Sequence, residues 1–264
     1  EAMNGCLACK SCSSQCPVGV DVPDFRAKFL AIYYTRYMRP LKDYFVANVE
    51  TLAPLMGKAP KTFNALTQNA PASWLLQKAI GYVDTPKLSS PTIVKRVKDF
   101  ALVLRSTSDL HILQNMHEEQ AKQHVLIVQD PFTSFYDADV VEKLVHFIKG
   151  VGKTPVLLPF SPNGKPQHVK GFLAKFEKTV EQTSNFLSTI AKLNIPMVGA
   201  DASLVLCYRD EYAKVLGLTH NNFRVLTISE WLSALEDKDL LLTHAKECKV
   251  NYKLLAHCSE KTAL

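Results

Sequence analysis

The sequence predicts a helical first part followed by an α/β part that contains a parallel sheet. In residues 1–120 apolar side chains recur about every 3.6 positions, the period of a helix packed along one side. In residues 121–264 short unbroken apolar runs, of which 125–128 is the clearest, alternate with amphipathic stretches. Unbroken apolar runs are typical of strands buried on both faces, and their alternation with helices is typical of βαβ units. We therefore expect two domains, divided near residue 120.

The helices of the first part are predicted from this period and from their end signals. The first is capped by Asp21 or Val22, has Pro23 in its first turn and ends before Pro40. Its apolar stripe predicts a helix packed in the core, although the aromatic and basic segment 33–39 could instead dock a quinone or a membrane surface. The stripe consists of Phe25, Phe29, Ile32, Tyr33 and Tyr37. Further helices are predicted over 41–52, 71–81 and 92–104, with a linker over 83–91.

The second part is read as strands separated by helices. Strands are predicted at 125–128, 155–158, 195–198, 224–227 and 253–255. Amphipathic helices are predicted over 140–148 and 170–193. The order of these elements favours parallel pairing of the strands.

The opening of the chain carries its densest chemistry. Cys6, Cys9, Cys12 and Cys16 precede Pro17 in the pattern C-x2-C-x2-C-x3-C-P. This is the spacing of bacterial ferredoxin runs, and thiolates are the ligands that iron–sulfur clusters need. Because no second run follows, we expect one 4Fe–4S cluster held by all four sulfurs, in a helical ferredoxin-like domain that relays electrons. The alternative is a zinc-stapled interaction module without redox activity, since C-x2-C pairs also ligate zinc.

Two cations lie close to this run. Lys10 is inside the ligand loop, and Arg26 is one turn into the helix that follows. Positive charge near a cluster stabilises its more negative, reduced state, so both residues are predicted to tune the reduction potential.

Composition and charge exclude some classes of function. No run of about 18 apolar residues is present, so no transmembrane span is expected. The net charge of +6 is spread along the chain without a nucleic-acid motif, which excludes nucleic-acid binding. Three cysteines remain outside the run, and this odd number favours reduced thiols in the cytoplasm, free or peripheral to the inner face of the membrane. Both ends of the chain look cut, so we expect a piece of a longer polypeptide.

Three further stretches, 129–136, 163–173 and 208–212, carry a family resemblance together with the cysteine run. The chain resembles the iron–sulfur half of flavin-linked 2-hydroxyacid dehydrogenases, and most of all the C-terminal part of the large, single-chain, FAD-linked D-2-hydroxyglutarate dehydrogenases. The resemblance implies an electron-transfer module that takes electrons from FAD in a flavin-binding domain of the same polypeptide. It implies a quinone or a soluble carrier as acceptor and no catalytic residue in this chain. The alternative is a separate iron–sulfur subunit of a lactate, glycolate or glycerol-3-phosphate oxidoreductase.

The same resemblance implies that residues 121–264 form a cysteine-rich domain of the Cys-Cys-Gly type, truncated at its C-terminus. The chain departs from that pattern, because no cysteine lies near Phe160 and Ser161, and Leu204 stands where many relatives have cysteine. A second metal site in the first repeat is therefore not expected. Cys258 is the remaining candidate ligand for such a site.

Other residues near predicted strand ends have two interpretations each. Lys165, His168 and Lys170 follow a strand, where open α/β sheets bind ligands. They could bind the carboxylate of an acidic substrate or contact the flavin-binding domain, or they could belong to a solvated loop.

Two of the cysteines outside the run, Cys207 and Cys248, are expected to have no chemical role. Cys207 is predicted to be a small buried hydrophobe rather than a ligand. Cys248 is predicted to be an exposed bystander. Residues 209–211, Arg-Asp-Glu, are predicted to form an ion-pair corner at a helix start.

Overall fold

The computed structural model describes residues 6, 8, 10, 12–13, 16–81, 85–217, 221–235, 251 and 253. The strand predicted at 253–255 and residues Cys9, Cys248 and Cys258 lie wholly or largely outside the described residues. No helix among those described is both long and apolar enough to cross a lipid bilayer.

In the described part of the chain, five helices form the N-terminal helical part. They are α1 (Val22–Arg36), α2 (Leu41–Ala47), α3 (Val49–Met56), α4 (Pro60–Thr67) and α5 (Ala70–Ile80). The caps follow the sequence signals. The Asp21 side chain accepts the N–H of Asp24 at the start of α1, and Gly81 ends α5 in the left-handed conformation that glycine adopts without strain.

A parallel sheet of five strands forms the centre of the α/β unit. The strands are β1 (Leu102–Val103), β2 (His124–Val128), β3 (Thr154–Leu157), β4 (Met197–Gly199) and β5 (Val225–Leu226). Their order across the sheet is β1-β3-β2-β4-β5, and every described pairing is parallel. The chain leaves β2 towards β3 on one side and later crosses to β4 on the other, so the topological switch lies at the carboxyl end of β2.

Helices cover both faces of this sheet. They are α6 (Ile93–Val97), α7 (His111–Gln114), α8 (Glu118–Ala121), α9 (Ala138–Gly150), α10 (Lys165–Val169), α11 (Leu173–Ala191), α12 (Ala202–Arg209), α13 (Glu211–Leu216) and α14 (Ile228–Ser233). Short 3-10 and π-helical turns occupy Thr107–Leu110 and Phe132–Tyr136. The predicted α + α/β fold with a parallel sheet is therefore confirmed.

Strand β2 shows why the sheet is buried. Leu126 and Val128 belong to one apolar cluster, whereas Val125 and Ile127 belong to a cluster on the opposite face. Successive side chains of a strand point to opposite faces, so an unbroken apolar run supplies both cores.

The N-terminal helices pack on the segment between β3 and α11. Gly171 lies so close to α1 that an added Cβ would stand 2.9 Å from the carbonyl oxygen of Ala27 and from the N of Ala31. Arg39 places its guanidinium over the rings of Tyr34 and Phe172, at 4.3 and 3.9 Å. The helical part and the α/β unit are thus in direct contact, and the division near residue 120 stays a prediction.

Two predicted helices of the N-terminal part are wrong in their extent. The helix predicted over 92–104 ends at Val97, and Leu102–Val103 is the edge strand β1 instead. The helix predicted over 41–52 is two helices, because the chain turns out of helical geometry at Asn48.

The predicted core face of α1 is also wrong. Phe25, Phe29 and Ile32 are exposed, and Ile32 keeps 72% of its surface accessible. The buried residues of α1 are Pro23, Arg26 and Ala27, which lie on the opposite side of the helix. The helix is therefore apolar on both faces, and the period alone could not tell which face this chain covers.

Candidate functional site

The cysteine run lies at the start of the described chain. Cys6 and Cys16 are half-buried and Cys12 is exposed. Among the described residues no group of three or more His, Cys, Asp and Glu side chains is placed to hold a metal ion, and Cys9 lies outside them. The assignment of all four cysteines as ligands therefore stays a prediction.

The surroundings of Cys16 fit a metal-bound thiolate. Backbone N–H groups of Val20 and Val18, and less strongly of Gly19, point at its sulfur and hold the pKa of the thiol below its usual value. Hydrogen bonds of this kind stabilise the charged form of a thiol, which is the form that binds iron. The donor set and its local hydrogen bonds thus suit an iron–sulfur cluster.

Lys10 connects the segment that carries the four cysteines (residues 6–16, the cysteine loop) to the α/β unit. Its Nζ forms an ion pair with Asp210 and lies 3.1 Å from Oε2 of Glu211. Glu211, the first residue of α13, also pairs with Lys165, the first residue of α10. Burial alone would raise the pKa of Glu211, but Lys165 and Lys10 outweigh it and hold the pKa below the usual value for a carboxyl.

A second set of contacts joins the start of α1 to α13. Lys214 Nζ lies 2.6 Å from Oδ2 of Asp21, the cap of α1, and 3.0 Å from Oδ1 of Asp210. The predicted ion-pair corner at 209–211 is present. Arg209 pairs with Glu230 and donates to the carbonyl of Val225.

Lys165, His168 and Lys170 are brought together, although not in a solvated loop. Lys165 and His168 are buried, and Lys170 is half-buried. Lys170 Nζ lies 2.7 Å from Asp43 of α2, and His168 Nε2 lies 3.7 Å from Asp24 of α1. The solvated-loop interpretation is therefore wrong, because His168 and Lys170 contact the N-terminal helices of the same chain and Lys165 pairs with Glu211 of α13.

The state of His168 follows from its surroundings. Burial lowers its pKa, and although Glu211 and Asp24 oppose this, the pKa stays below the usual value. Its ring packs against Phe176, with ring centroids 5.0 Å apart. His168 is thus a neutral, packed side chain near pH 7.

Glu50 is a site residue that the sequence did not reveal. It comes from α3, is 1% exposed, and accepts the N–H groups of Asn163 and Gly164, each at 2.7 Å. Burial raises its pKa to about 7, against the pull of these two donors. Its carboxyl group therefore engages backbone N–H groups of the loop after β3, next to the residues that were predicted to bind an acidic substrate. A lone glutamate in the apolar α3 stretch was the only available signal.

The residues at the switch point also serve the fold. Asp130 accepts the N–H groups of Phe132 and Thr133, both at 2.8 Å, and Gln129 donates to the carbonyl of Leu158 at 2.7 Å.

Cys207 of α12 is fully buried in the core, and burial raises its pKa well above the usual value. It is therefore a neutral thiol, and the prediction that its side chain is buried is confirmed.

Fold and site together define an α/β protein with a parallel sheet, onto which an N-terminal helical part and a cysteine loop are pinned by buried ion pairs. The chain is 49% identical over 265 residues to a D-2-hydroxyglutarate dehydrogenase of Pantoea ananatis, and 49% identical over 264 residues to one of Escherichia coli. A protein of the same name from Pseudomonas putida is 37% identical over 265 residues. The matches cover 99–100% of this chain and 25% of each relative, so the chain spans about a quarter of their length. No protein-family model matches the chain. No solved structure matches it either.

Proposed function

We propose that this chain is the electron-transfer part of an FAD-linked D-2-hydroxyglutarate dehydrogenase, with a 4Fe–4S cluster held by Cys6, Cys9, Cys12 and Cys16. The observation that carries the proposal is the identity of 49% over the whole chain to relatives of that name. Because the chain spans only a quarter of those single polypeptides, a fused enzyme is favoured over a separate iron–sulfur subunit.

A cluster bound at the cysteine run would supply one-electron chemistry between a reduced flavin and an acceptor, which is a quinone or a soluble carrier. The protein's own contribution is to hold the ligands. The N–H groups of Val18 and Val20 stabilise the Cys16 thiolate. Lys10 fixes the loop on α13 through Asp210 and Glu211.

We assign no catalytic residue to this chain. Lys165, His168 and Lys170 are engaged with Glu211, Asp24 and Asp43, which leaves none of the three facing an open crevice. These contacts support our proposal that the hydroxyacid is bound and oxidised in the flavin-binding domain of the same polypeptide.

The exposed stripe of α1 is the surface proposed to meet that domain. Phe25 and Phe29 are exposed, as are Val18 and Val20, which follow the last cysteine closely in the sequence. Large apolar side chains that are exposed in a group mark interaction sites. Its position beside the loop suits a flavin domain, because electron transfer requires flavin and cluster to be close, and the relatives are about four times as long as this chain.

Rapid mixing of the full-length enzyme with D-2-hydroxyglutarate tests the proposal. In Cys16→Ser we expect the flavin to be reduced by substrate at a rate within about twofold of wild type, while electron delivery to the acceptor slows by at least about 100-fold. Cys207→Ala, a cysteine variant outside the run, should keep both rates. Unchanged delivery in Cys16→Ser would refute the relay, and failure of D-2-hydroxyglutarate to reduce the wild-type flavin would refute the substrate.

A further inference from the structure

Lys10 occupies an unusual place in the cysteine loop. It lies between the second and third cysteines, and its φ of 62° is in the left-handed region. That conformation is unfavourable for a residue with a side chain, and it persists only where the surroundings hold it. The backbone N–H and the hydroxyl of Ser13 both donate hydrogen bonds to the Lys10 carbonyl, at 3.0 and 2.7 Å. The side chain of Lys10 is held separately, by the α/β unit.

Glu211 is the buried partner of that side chain. Its side chain is 2% exposed, and its two carboxylate oxygens face Lys165 and Lys10. A buried carboxylate is costly without paired cations, so the three side chains depend on one another. The carboxylate therefore joins the cysteine loop and α10 at a single point.

Asp210 contacts the same ammonium group of Lys10, but it is much more exposed to solvent than Glu211. Its side chain is 40% exposed and shares Lys214 with Asp21. Exposed ion pairs contribute little because water screens them. Asp210 thus provides a matched comparison for Glu211, at the adjacent position and on the same cation.

These contacts change the part that Lys10 can play. Two carboxylates compensate its charge, so it does not present an unbalanced cation to a cluster. The prediction that Lys10 stabilises a reduced cluster by its positive charge is therefore not favoured by its contacts. Arg26 donates to the neutral carbonyl of Val169, at 2.9 Å, so the same prediction for Arg26 stays a prediction.

We propose that Glu211 is a positioning residue for the cysteine loop, acting through Lys10 to fix the geometry of the cluster ligands. The inference rests on the proposed function, because it concerns the loop that would hold the cluster. The effect of Glu211 on the loop is transmitted through its ion pair with Lys10.

The experiment measures cluster loss and the electron paramagnetic resonance spectrum of the reduced cluster in anaerobic full-length enzyme. Glu211→Gln and Lys10→Gln should each bleach at least about tenfold faster than wild type in an iron chelator, a difference of about 1.4 kcal/mol. Both should also show an altered resonance spectrum. Lys10→Arg should stay within about twofold of wild type, as should Asp210→Asn.

Lys10→Gln is the decisive variant, because Glu211→Gln also removes the carboxylate that neutralises buried Lys165 and can unfold the α/β unit. Wild-type bleaching and resonance in Lys10→Gln would overturn the inference and leave the proposed function standing. Equal acceleration in Asp210→Asn would also overturn it, because the exposed carboxylate would then matter as much as the buried one. A wild-type enzyme without iron would refute the proposed function itself.

Discussion

Glu50 makes the stability of this chain depend on pH in a predictable direction. Burial raises its pKa to about 7 from an ordinary value of 4.5. Between these values the folded chain keeps a proton that the unfolded chain releases, so stability falls as pH rises. At about 1.4 kcal/mol per pH unit the whole interval corresponds to roughly 3 kcal/mol, of which about 2–3 kcal/mol falls between pH 5 and pH 8.

Glu50→Gln isolates this contribution, because glutamine resembles the protonated side chain and does not titrate. Urea unfolding followed by circular dichroism at pH 5 and pH 8 gives the free energy of unfolding of both proteins. We expect the difference between variant and wild type to move by about 2–3 kcal/mol in favour of the variant as pH rises. Glu181→Gln, which removes an exposed carboxylate from α11, controls for the loss of one charge. If the free energy of unfolding changed with pH equally in wild type and Glu50→Gln, Glu50 would not keep a proton in the folded chain.

Three further predictions follow from particular contacts. Cys12→Ser should lower the iron-to-protein ratio of the anaerobically purified enzyme, whereas Cys207→Ala should leave it unchanged; a loss of several irons in the latter would make Cys207 a ligand. Gly171→Ala should lower the free energy of unfolding by about 2–4 kcal/mol, because the added Cβ meets backbone of α1. Gly217→Ala has a similar φ but open space, so its cost should be about 1–2 kcal/mol, and equal losses would argue against the close approach. Phe25→Asp in the full-length enzyme should slow flavin-to-cluster transfer by at least about tenfold with unchanged iron content; wild-type stopped-flow traces would show that α1 meets another surface.

The central strands were predictable because burial on both faces requires a continuous run of apolar residues, which is visible in the local sequence. An unbroken apolar run such as 125–128 can satisfy two cores only as a central strand, and it became β2. Strand β1 has two residues, too few to show any period, and it is defined by pairing with β3 rather than by its own sequence.

The face of α1 could not be predicted for a different reason. A stripe at Phe25, Phe29 and Ile32 shows that one side of the helix is apolar, but it does not say which molecule covers that side. Here the buried side includes Arg26, whose long side chain reaches a backbone carbonyl.

The ion pairs and buried hydrogen bonds of the site join residues that are far apart in the sequence. The cysteine spacing and the Arg-Asp-Glu corner are local and were visible in the sequence. The partners Lys10 and Glu211 come from opposite ends of the chain, and Glu50 reaches Asn163 from another helix. Only the packing of the helical part on the α/β unit brings these residues together.

The presence of a 4Fe–4S cluster is tested most directly by the visible absorption spectrum of the anaerobically purified enzyme, recorded with its iron and sulfide content. Beside the flavin absorption we expect a broad iron–sulfur band that bleaches with dithionite, and about four irons and four sulfides per chain. In Cys9→Ser this band, the iron and the sulfide should be lost, while the flavin absorption and the far-ultraviolet circular dichroism are kept. A wild-type enzyme that shows flavin absorption alone and holds one zinc, or full iron and sulfide in Cys9→Ser, would rule out the cluster held by four cysteines.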